Sequence, residues 1–162
     1  MSAVLSESPA LRPMRPFDIE TVAAIERTVY THPWTPGNFR DSLQAGYSCW
    51  GMECAGQIVG YGVLMIGVDE AHLLNLSVAQ SWQRRGLGRL LLDHFIALAR
   101  SCEMQRMLLE VRPSNVAARA LYRQTGFREL AVRDGYYPAK AGREDAILMV
   151  LELGDQEGER GE

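Results

Sequence analysis

Apolar residues recur along the chain at two spacings, and these divide it into elements. "FDIETVAAIERTVY" (17–30) sets Val22, Ile25 and Val29 three and four residues apart, one face of a helix, with Asp18 placed to cap it. "HPWTPGNFRDSLQ" (32–44) turns at its prolines and then offers a second short helix. Three strands follow: 48–55, 58–67 after a turn at Gly56-Gln57, and 71–79. Their short separators and β-forming residues predict antiparallel hairpins. Residues 87–99 form a strongly amphipathic helix, "RMLLEVR" (106–112) a strand, and "NVAARALYRQTG" (115–126) a helix stopped by Gly126. Two last strands, 127–138 and 144–153, are joined by a loop containing Pro138 and Gly142. "LRPMRP" (11–16) reads as a short first strand whose prolines suit an edge.

This order mixes helices, a hairpin-built section and strand–helix–strand steps. It predicts one α/β sandwich around a mixed sheet over residues 11–153. Residues 1–10 read as a loose extension, and the charged, Gly-rich 154–162 as a disordered tail.

With 162 residues, 47% of them apolar and 23% charged, the chain has the balance of a soluble globular domain. Its net charge of −3 argues against general nucleic-acid binding, so any anion site must be local. Cys49, Cys54 and Cys102 are odd in number and at no metal spacing, and read as free thiols in a reducing compartment. His32, His72 and His94 are isolated, so no metal site is expected. The longest mostly apolar run, 58–68, is too short to span a bilayer, and no secretory signal is recognisable. Cytoplasmic placement is the resulting expectation.

One stretch carries chemistry by its composition. Gln83-Arg84-Arg85-Gly86-Leu87-Gly88-Arg89 sets glycines and arginines where a helix begins. The first N–H groups of a helix lack intrahelical partners, and the helix dipole is positive there. Glycine lets the backbone come close to an anion, and arginine adds ionic phosphate contacts. The Walker pattern is absent, and Leu91 stands where a dinucleotide fingerprint needs its third glycine. What remains is a pyrophosphate cradle, or else a plain turn flanked by solvated arginines.

Together with "LLEVRPSNVAARALYRQTGF" (108–127) and "GYYPAKAGREDAILM" (135–149), this stretch resembles the GNAT superfamily of acetyltransferases. Within it the sequence is most similar to the ribosomal-protein-alanine N-acetyltransferase (RimI) family, over roughly residues 11–153. The resemblance implies a mostly antiparallel sheet flanked by about four helices. It implies acetyl-CoA as co-substrate, with no metal, and transfer to the N-terminal alanine of a small-subunit ribosomal protein of the S18 type. Transfer would be direct, because the cysteines lie outside the motifs. No nucleic acid or membrane partner is implied.

The resemblance also distributes roles. Backbone N–H groups of Arg84, Arg85, Gly86, Leu87, Gly88 and Arg89 would clasp the pyrophosphate. Leu76, Ser77 and Val78 would pair with the pantetheine as an added strand, with the Val78 N–H at the thioester oxygen. Only their backbone is invoked; the side chains of Leu76 and Val78 read as core. Glu110 would be the general base: a carboxylate within an apolar strand is costly unless paired or used. Pairing with Arg112 on the same strand face is the alternative. Tyr122 would protonate the leaving thiolate, and Asn115, seven residues earlier on the same helix face, would bind CoA. The other reading makes Tyr122 a half-buried aromatic and Asn115 a helix cap.

Trp34, Tyr136 and Tyr137 would line the acceptor site. Asp69, Glu70 and Glu110 would make its mouth acidic, suiting a basic protein tail. Arg143-Glu144-Asp145 reads equally as an ion-pair network at a strand start. Arg133-Asp134-Gly135 departs from the family pattern in the loop before Tyr136. The competing functions are a broader N-terminal or lysine acetyltransferase and a non-catalytic acyl-CoA sensor.

Overall fold

The structure, a computed structural model, describes residues 8–139 and 142–154, and the side chains of 8–135 and 145–154. The described strands are β1 (Ala10–Pro13), β2 (Ser48–Cys54), β3 (Gln57–Ile66), β4 (Glu70–Val78), β5 (Arg106–Val111), β6 (Arg128–Ala139) and β7 (Gly142–Glu152). The described helices are α1 (Ile19–Val29), α2 (Pro36–Gln44), α3 (Leu87–Ser101) and α4 (Val116–Thr125). The strands are hydrogen-bonded in the order β1-β2-β3-β4-β5-β7-β6. Pairs β1–β2, β2–β3, β5–β7 and β6–β7 are antiparallel, and β4–β5 is parallel. A parallel neighbour requires a crossover, and α3 supplies it. The mixed sheet is the one that the residue pattern predicts, and the mostly antiparallel pairing with four helices is what the resemblance implies.

Three local expectations change. The β2–β3 turn is Ala55-Gly56, both left-handed at φ 52° and 78°, and Gln57 already belongs to β3. A two-residue hairpin of that hand matches the twist of its strands. Pro138 and Gly142 lie in the ladder, opposite Arg143 and Ala139, and not in a loop. Arg133-Asp134-Gly135 is also strand, part of β6.

The chain folds as two compact units, the first formed by Met1–Met65 with Asn75–His94, the second by Ile66–Leu74 with Phe95–Glu162. In the first, Met14, Ile19, Val22, Ala23, Phe39, Cys49, Tyr61 and Val63 form one apolar cluster, with Phe39 edge-on to Tyr61 at 5.8 Å. Burial of each large side chain contributes about 1.5–3 kcal/mol. In α2 the Thr35 hydroxyl accepts from Asn38 N–H at 3.1 Å and the Asn38 amide oxygen accepts from Thr35 N–H at 2.9 Å, a reciprocal cap followed by Pro36. In the second unit, α4 ends where Gly126 takes φ 114° and Phe127 N–H returns to the Tyr122 carbonyl at 2.9 Å.

Asp18 stands at the start of α1, but it does not cap that helix as expected. Its carboxylate turns back and accepts from Arg15 N–H at 2.8 Å and from both terminal nitrogens of Arg12, at 2.7 and 2.8 Å. Arg12 also donates to Glu53 at 2.7 Å, joining β1, α1 and β2. The Arg12 hydrogen bonds hold the buried Asp18 carboxyl below its ordinary value, against the opposing effect of burial. A depressed carboxyl contributes stability above its unfolded value, near pH 3.9, and loses it as pH falls through the folded value. Asp18→Asn should therefore lower unfolding free energy at pH 7 by roughly 1–2 kcal/mol. Denaturant titrations at descending pH should show the gap closing below about pH 4. A gap of unchanged size in strong acid would rule out this ion pair as its cause.

Candidate active site

The cradle is built by a chain reversal after β4. Ala79 N–H donates to the Val59 carbonyl at 2.8 Å, a short 3-10 turn spans Gln80–Trp82, and residues 83–86 bend into α3. Gln83 Nε2 donates to the Val78 carbonyl at 2.9 Å and fastens the bend to the strand end. Arg84 and Gly86 are left-handed, at φ 64° and 80°. Alternating hands turn successive N–H groups toward one concave side, the form of a backbone anion nest. A Cβ on Gly86 would meet nothing within 4 Å, so glycine serves the dihedral there and the space before it is open. The first helical N–H groups, at Leu87, Gly88 and Arg89, have no preceding carbonyl in the helix. Buried Leu87 anchors this end.

The arginines are less uniform than their sequence suggests. Arg84 is exposed, Arg85 lies 4.7 Å over the Trp82 ring, and Arg89 pairs with Asp93 at 3.0 Å along the helix. An anion at this bend would therefore be met mainly by backbone N–H groups.

Strand residues Leu76 and Val78 are half-buried; the core side of β4 holds Asn75 and Ser77 instead. This corrects the expectation that Leu76 and Val78 are core. The reason lies in α1. Glu26 is 2% exposed, at the fourth position of a stripe otherwise made of Ile19, Val22 and Ala23. Its carboxylate accepts from Tyr61 Oη at 2.7 Å, from Trp34 N–H at 3.0 Å, and from Asn75 Nδ2 at 3.3 and 3.4 Å. Ser77 Oγ donates to Asn75 Oδ1 at 2.8 Å, and Tyr30 Oη donates to the Leu76 carbonyl at 3.2 Å. Burial, reinforced by the Glu26 charge, drives the Tyr61 phenol far above its ordinary value, so it is a fixed donor. Sequence reasoning passed over Glu26; the signal was a charge on the apolar face of α1. Trp34, expected as a wall of the acceptor site, has its backbone held by Glu26 and its ring 5.1 Å from Phe39.

The second unit holds the remaining candidates. Glu110 lies near the end of β5, its side chain 26% exposed, and Oε1 accepts from Arg133 Nη1 at 2.6 Å. Oε2 is buried without a hydrogen-bond partner among the described residues. The cation on Glu110 thus comes from β6. Asn115 is the N-cap of α4, its Oδ1 accepting from Ala118 N–H at 3.2 Å. Tyr122 is buried, its ring 5.6 Å from Phe127. The alternative readings of both residues, cap and packed aromatic, therefore describe real contacts.

The acidic mouth is not formed as expected. Parallel pairing sets Glu70 beside Arg106, at the opposite end of β5 from Glu110. Four residues of strand separate Arg106 from Glu110, about 13 Å, and Glu70 is itself ion-paired to Arg106 at 3.5 Å. Asp145 is structural: its carboxylate accepts from Gly135 N–H at 2.9 Å. Gly135, at φ 59°, sits in a β6 bulge between the pairs Arg133–Ala146 and Tyr137–Glu144. The side chains of Tyr136, Tyr137, Arg143 and Glu144 lie outside the described ones. Among the described residues, no three His, Cys, Asp or Glu side chains gather as a metal site, and no helix is long and apolar enough to cross a membrane.

The crossover helix α3 of the parallel β4–β5 step thus opens on a glycine-rich bend. The family model of the GNAT acetyltransferases matches residues 19–127, and the chain belongs to that family. It is 37% identical over 136 residues to the ribosomal protein bS18-alanine N-acetyltransferase of Escherichia coli (strain K12), across 84% of this chain and 92% of the relative. The crystal structure of the ribosomal-protein-S18-alanine N-acetyltransferase from Escherichia coli superposes with a TM-score of 0.86 at 34% identity, covering 91% of this chain and 96% of that one. Arabidopsis thaliana NAA60, solved with acetyl-CoA, shares the fold at TM-score 0.79 and 18% identity, over 90% of this chain and 98% of its own.

Glu26 makes a direct prediction. Glu26→Ala strips four hydrogen bonds and leaves Tyr61, Asn75 and Trp34 N–H to find new partners. The variant should lose about 3–5 kcal/mol of unfolding free energy, the scale for breaking a buried charged network. A denaturant midpoint equal to wild type would show that the network is not a stabilising hub.

Proposed function

We propose that this acetyltransferase moves the acetyl group of acetyl-CoA to the N-terminal α-amine of a protein, with the alanine-first ribosomal protein bS18 as acceptor. Glu110 is the observation that carries the reading. One of its oxygens is held by Arg133 and the other is buried and unfilled, the state of a carboxylate kept ready for a proton. The similarity to the Escherichia coli enzyme over 92% of that enzyme's length supports the choice of acceptor.

The roles follow from what each group can do. The nest at 84–89 has the curvature and free N–H groups that a pyrophosphate needs. The backbone of Leu76, Ser77 and Val78 offers strand edges to the pantetheine amides, and Val78 N–H is the donor for the thioester oxygen. Asn115 holds CoA from the start of α4. Trp34, Tyr136 and Tyr137 contact the acceptor peptide. An α-ammonium has a pKa of roughly 8, so a neutral solution requires one proton to leave before attack. Glu110 Oε2 accepts it; the amine nitrogen bonds to the acetyl carbon; the carbon–sulfur bond breaks as Tyr122 gives its proton to the thiolate; and the second proton shed by the nitrogen, now an amide, restores the Tyr122 phenol. No acyl-enzyme is involved. Burial pushes the Cys49 thiol up to about 11, which removes its nucleophile, and Cys54 is buried as well.

The test is mass spectrometry of a peptide bearing the Ala-first N-terminus of bS18, incubated with acetyl-CoA. Wild type should add one acetyl group to the α-amine. Glu110→Gln should slow this by about 10²–10⁴-fold, the usual worth of a positioned base. Tyr122→Phe keeps the ring against Phe127 and should slow turnover while leaving acetyl-CoA affinity intact. Acetylation of lysine side chains instead would move the acceptor to the broader reading. Acetyl-CoA binding with no transfer to any amine would leave only the sensor.

A further inference from the structure

Among the described residues, Asp18, Glu26 and Glu110 are withdrawn from water, and of these Glu110 alone is left half-satisfied. Asp18 receives both terminal nitrogens of the Arg12 guanidinium, one on each oxygen. Glu26 receives donors on both oxygens. Among the described residues, Glu110 receives one donor, Arg133 Nη1 at 2.6 Å on Oε1, while Oε2 is buried and has no hydrogen-bond partner. An arginine fork facing a carboxylate squarely fills both oxygens. The Arg133 contact is instead one-sided, and it ends on the oxygen away from the unfilled one.

Stability does not account for this contact. The Arg133 side chain is 52% exposed, and exposed ion pairs contribute little to folding. Yet the contact is prepared by an unusual amount of backbone. Glu110 faces Leu148 on β7, and Leu148 faces Ala131 on β6, so all three share a sheet face. Arg133, two residues beyond Ala131, lies on that face too. Its side chain reaches back across β7, beside the small and fully buried Ala146. Immediately after Arg133 the strand bulges, with Gly135 left-handed and its N–H held by Asp145 at 2.9 Å. Bulges re-aim side chains. Here the bulge fixes the strand from which Arg133 projects.

We propose that Arg133 is a positioning residue for the transfer: by holding Glu110 through Oε1 alone, it fixes the carboxylate with Oε2 presented to take the proton of the acceptor amine. This rests on Glu110 being the base. The role assigned to Arg133 is to act through Glu110, which it contacts at 2.6 Å.

The test is a double-mutant cycle on the full chain, read by acetylation of the Ala-first bS18 peptide. Arg133→Met keeps the aliphatic stem and removes the donor. It should lower kcat about tenfold, less than loss of the base itself, with KM for acetyl-CoA unchanged and the thermal midpoint close to wild type. Arg133→Lys, or guanidinium ion added to Arg133→Ala, should restore part of the rate. In a Glu110→Gln background, Arg133→Met should add no further loss, because coupled groups are non-additive. Independent, multiplying losses would overturn the proposal, as would wild-type kcat in Arg133→Met. A Glu110→Gln variant that turns over normally would instead bring down the base assignment, and it is read separately from the Arg133 variants.

Discussion

A carboxylate taken out of water must have its lone pairs filled, and this constraint organises the first unit around Glu26. A hydrocarbon at that position of α1 would have packed on Val22 and Ala23 without further demands. A carboxylate requires donors from several directions, and the fold supplies them from Tyr61 on β3, Asn75 on β4 and the backbone of Trp34 beyond α1. One side chain thereby ties a helix, two strands and a loop. The polar inner face of β4 follows directly, since Asn75 and Ser77 must face inward to join the network. With the polar residues turned in, alternation leaves Leu76 and Val78 half-buried on the other face.

The same constraint separates carboxylates filled on both oxygens from one that is not. Asp18 and Glu26 are saturated, and a saturated carboxylate has no lone pair to give to a substrate proton. Burial alone would have nominated Glu26 as the base before Glu110, since it is far more withdrawn. Counting donors reverses the order. An unfilled buried oxygen is unfavourable to folding and calls for an explanation.

Much of this was legible in the residues. Periodicity placed all seven strands and four helices within a few positions, because apolar faces of helix and strand repeat differently and Gly126 and Pro36 mark ends. The cradle was legible because its mechanism is local: glycine where φ turns positive, at the start of a helix. The failures share a cause. Asp18 suggested a helix cap, Glu70 an acidic mouth and Glu110 a base or a partner of Arg112, and each is paired with Arg12, Arg106 and Arg133 respectively. The registers that bring Arg106 to Glu70 and Arg133 toward Glu110 are set by strand pairing, to which sequence neighbours carry no clue. The β6 bulge was read as a loop for a similar reason. Asp134 and Gly135 are turn formers, but Asp145 on β7 supplies the carboxylate that keeps them in the sheet.

That bulge also changes what the G-R-E-D-A motif means. A motif rich in charge before a strand invites a reading of each residue as a substrate contact or an ion pair. Asp145 instead accepts from a backbone N–H and holds a left-handed glycine in place. Its reach is geometric: Gly135 sets the bulge, the bulge sets the strand on which Arg133 stands, and Arg133 holds Glu110 by one oxygen. A short acidic side chain on β7 thus bears on the orientation of a carboxylate on β5 without touching it. Replacing Asp145 by Asn would keep an acceptor for Gly135 and so keep the shape. Replacing it by a residue without an acceptor would release the bulge and, with it, the one-sided hold on Glu110.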